Sequence, residues 1–411
     1  MFLTPAEAAE VRERFGTPCY VYDRRTLEAA ARAALGFPAP FGFTLRYAMK
    51  ANPSRAILGV FLGLGLDVDA SSDHEVERAL RAGVPPDRIQ LTSQMPSRRL
   101  AEFVARGIRF NACSLHQLDR FGHAFPGRDV SIRVNPGLGS GATNRTNTGG
   151  PGSSFGIWHE RLEEATALAA RHGVVVRGLH THIGSGSDPA VWKHVARMSL
   201  GIAARLPDVT TINLGGGFKV ARVPEERSAD LADIGAHVRQ ELVEFHDRTG
   251  RELRLEIEPG TYLVADAGCV VSTCIDVADT GAEGYRFAKL DTGMTEITRP
   301  SLYGATASHH GARRTRARAR GIRRPVLRIG RHPHPGAGRP GRARAASGAA
   351  ARDRRPGRGR RRWRLLRRDV DDQLQLLPAG ARGHAGAGRY AAAPPTAPGT
   401  RGGLGERGVS R

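Results

Sequence analysis

Between residues 42 and 260 the chain alternates, eight times over, a short β-rich run with an amphipathic helical stretch. The runs are FTLRYA (43–48), LDVDA (66–70), RIQLTS (88–93), IRFNAC (108–113), VSIRVN (130–135), VVRGLHTHI (175–183), VTTINLG (209–215) and LRLEIE (253–258). Segments such as DHEVERALRAG and WHERLEEATALAARHG lie between them, with apolar residues at helical spacing. A strand reached through a helix lies parallel to its predecessor, because only antiparallel neighbours can be joined by a short hairpin. Eight such units predict an α/β chain built on a (β/α)8 TIM barrel over residues 25–265.

In such a barrel the loops after the strands build the reactive face. Five candidates fall there. Lys50 follows the first run, Asp69 ends the second and His182 the sixth; Gly215, Gly216 and Gly217 follow the seventh, and Glu258 ends the eighth. Polar side chains in apolar strands cost free energy unless they are partnered, so five at one end point to a site.

Each feature also has a plainer reading. Lys50, in YAMKAN (47–52), is either a solvated strand-end lysine or an amine that desolvation equips for Schiff-base chemistry. In HTHIGSGS (180–187), alternation puts His180 and His182 on one face and Thr181 on the other. A His-x-His pair can bind metal, but no third ligand of suitable spacing is near, and no metal is expected. The loop that follows, with Ser185, is an ordinary turn or a set of donors for a phosphate. NLGGGF (213–218) lets backbone amides approach an anion closely, and two such loops on neighbouring strands frame a phosphate site. EIEPGTYLVADAG (256–268) sets Glu256 and Glu258 on one strand face. A buried carboxylate needs a positive partner, either a structural cation or a protonated pyridine nitrogen. Together, amine, imidazole, phosphate cradle and carboxylate read as a site for pyridoxal 5′-phosphate.

With TPCYVYD (17–23) and DTGMTEITRPSLYGA (291–305), this ordered set of motifs resembles the alanine-racemase-fold group of pyridoxal phosphate decarboxylases, and within it the diaminopimelate decarboxylase family. The resemblance runs from about residue 15 to 305. It implies that Lys50 holds the cofactor covalently, that His182 stacks on its ring, and that Ser185 and Gly215–Gly217 bind its phosphate. It implies that Glu258 pairs with the ring nitrogen, that Gly260 of the EPG turn also borders the cofactor, and that Asp69 belongs to the shell around Lys50. Arg299 would meet the substrate carboxylate and Tyr303 the cofactor phosphate at the substrate side. The implied reaction is decarboxylation of a small-molecule diamino acid, meso-diaminopimelate to L-lysine, with an ornithine- or arginine-type substrate as the alternative. The family forms homodimers with shared sites and continues into a C-terminal β domain, to which residues 1–24 contribute a strand and residues 266–305 the beginning. One departure bears on substrate: the family usually has arginine after EPG, where this chain has Thr261.

Composition sets the last quarter apart. A net charge of +22 would suit nucleic acid or a membrane surface, but it lies entirely from residue 306 onward. That segment holds 27 arginines, no lysine and 5 acids, whereas residues 1–305 balance 35 basic against 35 acidic residues. No run approaches a membrane span, the start MFLTPAEAAEVRERFG has no signal-peptide core, and the four cysteines are scattered. A cytoplasmic protein with no nucleic-acid and no membrane partner is expected.

After SLYGA the family shows a Cys-Glu-Ser-Gly-Asp motif and later a Gly-Ala-Tyr motif, and neither appears here. Back-translated with synonymous codons and read one base later, residues 326–335 give Cys-Cys-Glu-Ser-Gly-Asp-Ile-Leu-Thr, and residues 363–378 begin Gly-Ala-Tyr. A one-base insertion near codon 306 is therefore expected, leaving 306–411 a frameshifted, mostly disordered tail and the activity impaired. A basic nucleic-acid arm and an inactive pyridoxal phosphate carrier are the alternatives.

Overall fold

The computed structural model describes residues 2–304, except 142–145, 186–187, 224 and 282–283, together with 310–313 and 373–378. The chain opens with α1 (Pro5–Phe15), where Thr4 and Glu7 cap each other's backbone amides, followed by β1 (Cys19–Tyr22). Residues 1–24, expected as a strand, thus hold a helix as well. The capping box T-P-A-E satisfies amides that the first turn otherwise leaves bare.

From α2 (Arg24–Leu35) the chain winds through β2 (Phe43–Ala48), α3 (Arg55–Gly63), β3 (Asp67–Ala70), α4 (Asp73–Arg81), β4 (Ile89–Leu91), α5 (Leu100–Ala105), β5 (Arg109–Ala112) and α6 (Leu115–Ala124). It continues through β6 (Asp129–Asn135), the short β7 (Ile157–Trp158), α7 (Leu162–Arg171), β8 (Val175–His180), α8 (Pro189–Ala204), β9 (Thr211–Asn213), α9 (Leu231–Thr249) and β10 (Arg254–Ile257). Side-chain caps start these helices where the sequence supplies them: Asp23 for α2, Ser72 for α4, Ser114 for α6 and Asp230 for α9.

Strands β2, β3, β4, β5, β6, β8, β9 and β10 pair in parallel, and β10 returns to β2, closing the barrel. All eight runs expected as strands are strands. The sixth is shorter than expected: it stops at His180, and Thr181 to Ile183 lie beyond it.

Alternation along each strand separates two kinds of residue. Leu45, Tyr47, Val68, Ile89, Leu91, Ile132, Leu179, Ile212, Leu255 and Ile257 are buried in one continuous apolar core. The opposite parity carries Arg46, Asp69, Gln90, Asn111, Arg133, His180, Asn213 and Glu256, all buried. Hydrogen bonds show that this second set shares the interior: on neighbouring strands Arg46 grips Glu256 at 2.8 and 2.9 Å and Asn213 reaches the same carboxylate at 3.1 Å, and across the barrel Gln90 on β4 reaches Glu258, just past β10, at 3.2 Å. Parallel barrels are ordinarily filled by branched aliphatic side chains. Here the filling is polar, and burying it requires that nearly every group find a partner.

Beyond the barrel, α10 (Thr261–Val264) leads into β11 (Gly268–Asp279), β12 (Arg286–Leu290) and α11 (Arg299–Tyr303). Strand β11 takes β1 on one side and β12 in antiparallel register, with an irregularity between Cys274 and Asp276. Two short strands, β13 (His310–Arg313) and β14 (Gln373–Pro378), join this sheet from the segment expected to be disordered. The rest of that segment lies outside the described residues. No helix among the described residues is long and apolar enough to cross a membrane.

Candidate active site

The interior polar column ends at the carboxyl side of the barrel. Lys50 sits in the single turn 49–51 that follows β2. Glu258 comes one residue after β10, the strand paired with β2, and its carboxylate feels the Lys50 charge. Its Oε1 accepts from Asn213 Nδ2 at 2.7 Å and Gln90 Nε2 at 3.2 Å, and its Oε2 lies 3.1 Å from His180 Nε2. Burial works to neutralise this carboxyl, but His180, which hydrogen-bonds it, and the Lys50 charge outweigh burial and hold it down to about 2. Glu258 is therefore an ion inside the barrel.

Asp69, at the end of β3 and 1% exposed, goes the other way. Burial, and next the charge of Glu258, push its carboxyl up to about 8, against the opposing pull of Lys50. Two carboxyls in one enclosed site thus divide the labour of one proton: Asp69 keeps it and Glu258 does without.

His182 stands two residues past β8. Burial, and next the Lys50 charge, keep its imidazole far below the usual histidine range, so it is neutral. Its Nδ1 accepts from the Gly216 amide at 3.3 Å, which ties the imidazole to the glycine loop. That loop is close-packed. Gly215 has φ +66°, and a Cβ on Gly216 would lie 2.2 Å from the Glu258 carbonyl oxygen. Trp192 on α8 braces the loop by donating its indole N–H to the Gly216 carbonyl at 3.1 Å. Gly260, which precedes α10, faces Ala48, where a Cβ would approach the carbonyl oxygen to 3.1 Å.

Ser185 is exposed on the loop after His182, its amide bonded to the Thr146 carbonyl at 2.9 Å, while residues 186 and 187 of the same motif lie outside the described residues. Arg299 and Tyr303 begin and end α11. The barrel mouth thus gathers Lys50, Asp69, His182, Glu258 and the three glycines.

Four participants were not anticipated in their roles. Arg133 on β6, 6% exposed, is near enough to depress both His180 and His182, and its NH2 is buried without a hydrogen-bond partner among the described residues. Gln90, Asn213 and His180 supply the donors to Glu258. Their signal was present, a polar residue at the buried alternate parity of RIQLTS, VSIRVN, TINLG and RGLH, but its partner is on another strand.

A pyridine ring bearing an aldehyde and a phosphate fits what these residues offer. There is an amine for the aldehyde and an ionised carboxylate for a protonated ring nitrogen. A neutral imidazole serves the ring face, and a cradle of glycine backbone that no side chain fills serves the phosphate. Buried atoms at Asp69 Oδ1 and Arg133 NH2 that have no hydrogen-bond partner among the described residues mark polar positions open to a ligand. A parallel barrel with this mouth defines a pyridoxal phosphate enzyme of the barrel class.

Comparison with known proteins specifies it further. Residues 25–265 match the pyridoxal-binding domain of the pyridoxal-dependent decarboxylases. The diaminopimelate decarboxylase of Streptomyces coelicolor is 38% identical over 312 residues, covering 73% of this chain and 68% of the relative. That of Escherichia coli K12 is 33% identical over 314 residues, covering 75% and 73%. A crystal structure of a diaminopimelate decarboxylase superposes with a TM-score of 0.69 at 32% identity, covering 75% of this chain and 73% of its own. The chain belongs to the pyridoxal-dependent decarboxylases, in the diaminopimelate decarboxylase family, and is a carboxy-lyase whose cofactor is pyridoxal 5′-phosphate.

Proposed function

We propose that the site decarboxylates meso-diaminopimelate to L-lysine, with Lys50, His182 and Glu258 as its catalytic residues. The observation that carries this is the buried, ionised Glu258 set across the paired strands β2 and β10 from Lys50. When bound, the cofactor supplies an electron-poor ring that takes up the electron pair released as the substrate carboxylate leaves as carbon dioxide.

The protein's own residues do the rest. Lys50 would hold the cofactor through its side-chain amine. Glu258 holds the proton of the ring nitrogen by remaining negative itself, which keeps the ring a strong acceptor. His182 would stack on the ring and, being neutral, would not compete with it for that charge. Gly215, Gly216, Gly217 and Ser185 would bind the phosphate, and Gly260 and Tyr303 would border the cofactor. Asp69, holding its proton, keeps the surroundings of Lys50 free of a second negative charge. Arg299 meets a substrate carboxylate.

Domain bounds follow the same reading: 25–265 binds the cofactor, 1–24 and 266–305 belong to the β domain, and 306–411 is out of frame. We hold the intact enzyme to be a cytoplasmic homodimer with shared sites, and the chain as written to be impaired, because the two later motifs are missing from it. The test compares the full chain with a version whose frame is restored at codon 306, following lysine formation from meso-diaminopimelate, with ornithine and arginine as competitors. The restored enzyme should turn over at an ordinary rate, about 1–1,000 per second, and lose it in Lys50→Ala. Preference for ornithine would overturn the substrate assignment. Ordinary turnover by the chain as written would overturn the frameshift.

A further inference from the structure

His180 has no task in that chemistry, yet it is 1% exposed at the centre of the site. An ionised carboxylate only accepts hydrogen bonds, so the nitrogen facing Glu258, Nε2, carries the hydrogen, and Nδ1 is the bare one. Nδ1 is buried with no partner among the described residues. A second proton there would be an N–H without an acceptor, in a site that already holds the Lys50 and Arg133 cations. Burial, with those two charges, outweighs the pull of Glu258 and keeps the ring neutral.

Glu258 is faced by Lys50 after β2, Asp69 on β3, His182 after β8 and, from deeper in the barrel, Arg46 on β2, while Arg133 on β6 faces the two histidines. Among the described residues, Asn213 and Gln90 share its Oε1, and His180 alone holds its Oε2. The behind-lying cation, Arg46, is already taken by Glu256 and Asp67.

We propose that His180 is a positioning residue, a neutral donor that fastens Oε2 of Glu258 without consuming its charge, so that the whole negative charge remains for the ring nitrogen of the cofactor. This rests on the reading of Glu258 as the ring-nitrogen partner. A cation in the same place would hold the carboxylate equally well and cancel it.

The test uses the full chain and two ligands: pyridoxal 5′-phosphate and its deaza analogue, in which C–H replaces the ring nitrogen. Their dissociation constants, read by absorbance, give a preference that reports the ring-nitrogen contact alone. His180→Leu should lower that preference about tenfold while leaving the deaza analogue's affinity in place, since a hydrogen bond to a charged group is lost. His180→Gln, whose amide reaches the position of Nε2, should restore most of it, and His180→Asn, too short, should not. Should the leucine variant fail to fold, the Asn and Gln pair carries the comparison. Equal weakening of both ligands, or an unchanged preference in the Leu and Asn variants, overturns the proposal. Glu258→Gln separates the two readings: if it keeps the preference, the ring-nitrogen assignment falls first and this proposal with it.

Discussion

Gly216→Ala examines the cradle directly. A Cβ on Gly216 would lie 2.2 Å from the Glu258 carbonyl oxygen and 2.9 Å from its carbonyl carbon. Contact at about 3.5 Å is needed, so loop and strand end must separate by roughly 1 Å. Both sides are backbone, and neither can swing away. They are tied by Glu258 N–H to the Gly215 carbonyl at 2.8 Å and Leu214 N–H to the Glu256 carbonyl at 3.0 Å. Overpacking of this kind costs about 1–3 kcal/mol. Losing the first of those bonds adds about 1 kcal/mol. For a domain of this size, 2–4 kcal/mol corresponds to a fall in Tm of roughly 4–16 °C. Because the displaced amides are those proposed to bind the phosphate, cofactor affinity should fall about 10- to 100-fold. Thermal unfolding with and without pyridoxal 5′-phosphate, and equilibrium binding, read both quantities. Gly59→Ala is the control: it sits within α3 with nothing within 4 Å of its Cβ, and should gain up to about 1 kcal/mol. If Gly216→Ala melts and binds like the parent, the glycine run is not a cradle.

Two further predictions concern the buried charges. Arg46→Met strands Glu256 and part of Asp67 inside the barrel and should cost about 3–5 kcal/mol in urea unfolding, whereas Arg46→Met with Glu256→Leu should recover most of it; a double variant no better than the single would refute the ion-pair account. Asp69 has a folded pKa of about 8, above its unfolded value, so the folded state holds a proton that the unfolded chain has released. Its stabilising share is full below about pH 4 and is lost as pH rises to 8. In cofactor-free protein the stability of the parent relative to Asp69→Asn should therefore decline from pH 5 to 8 and level off above that, and a difference independent of pH would show that Asp69 is not the proton holder.

Much of this was readable along the chain. Eight β-rich runs became eight strands because each carries a buried apolar face at period two and is bounded by capped helices or glycine turns. Lys50, Asp69, His182 and Glu258 were found from position alone, since strand ends are where a barrel is reactive. What the sequence hid was partnership. Nothing in RIQLTS says that Gln90 will donate to a carboxylate 168 residues later, and nothing in VSIRVN says that Arg133 will lie beside two histidines. The first pairing arises from the curvature of the closed sheet, which brings the non-adjacent β4 and β10 face to face; the second arises from the register of β6 with β8, which sets Arg133 opposite His180. The end of β8 was missed for a related reason: His180 to Ile183 keep the alternation of a strand, but past His180 the chain turns away to shape the mouth.

The seam between β1 and β11 has a consequence for modularity. Tyr22 lies opposite Gly268, and the Asp23 amide donates to the Ala267 carbonyl at 2.8 Å, so the chain enters and leaves the barrel at a single point. The barrel is a cartridge clipped between two adjacent strands of another sheet. Its bounds in space coincide with the 25–265 segment matched in the family. Barrels from different relatives should therefore be exchangeable by cutting at two neighbouring positions, leaving the sheet's pairing untouched. Such a layout lets the barrel that binds the cofactor and the sheet that clasps it vary independently of each other.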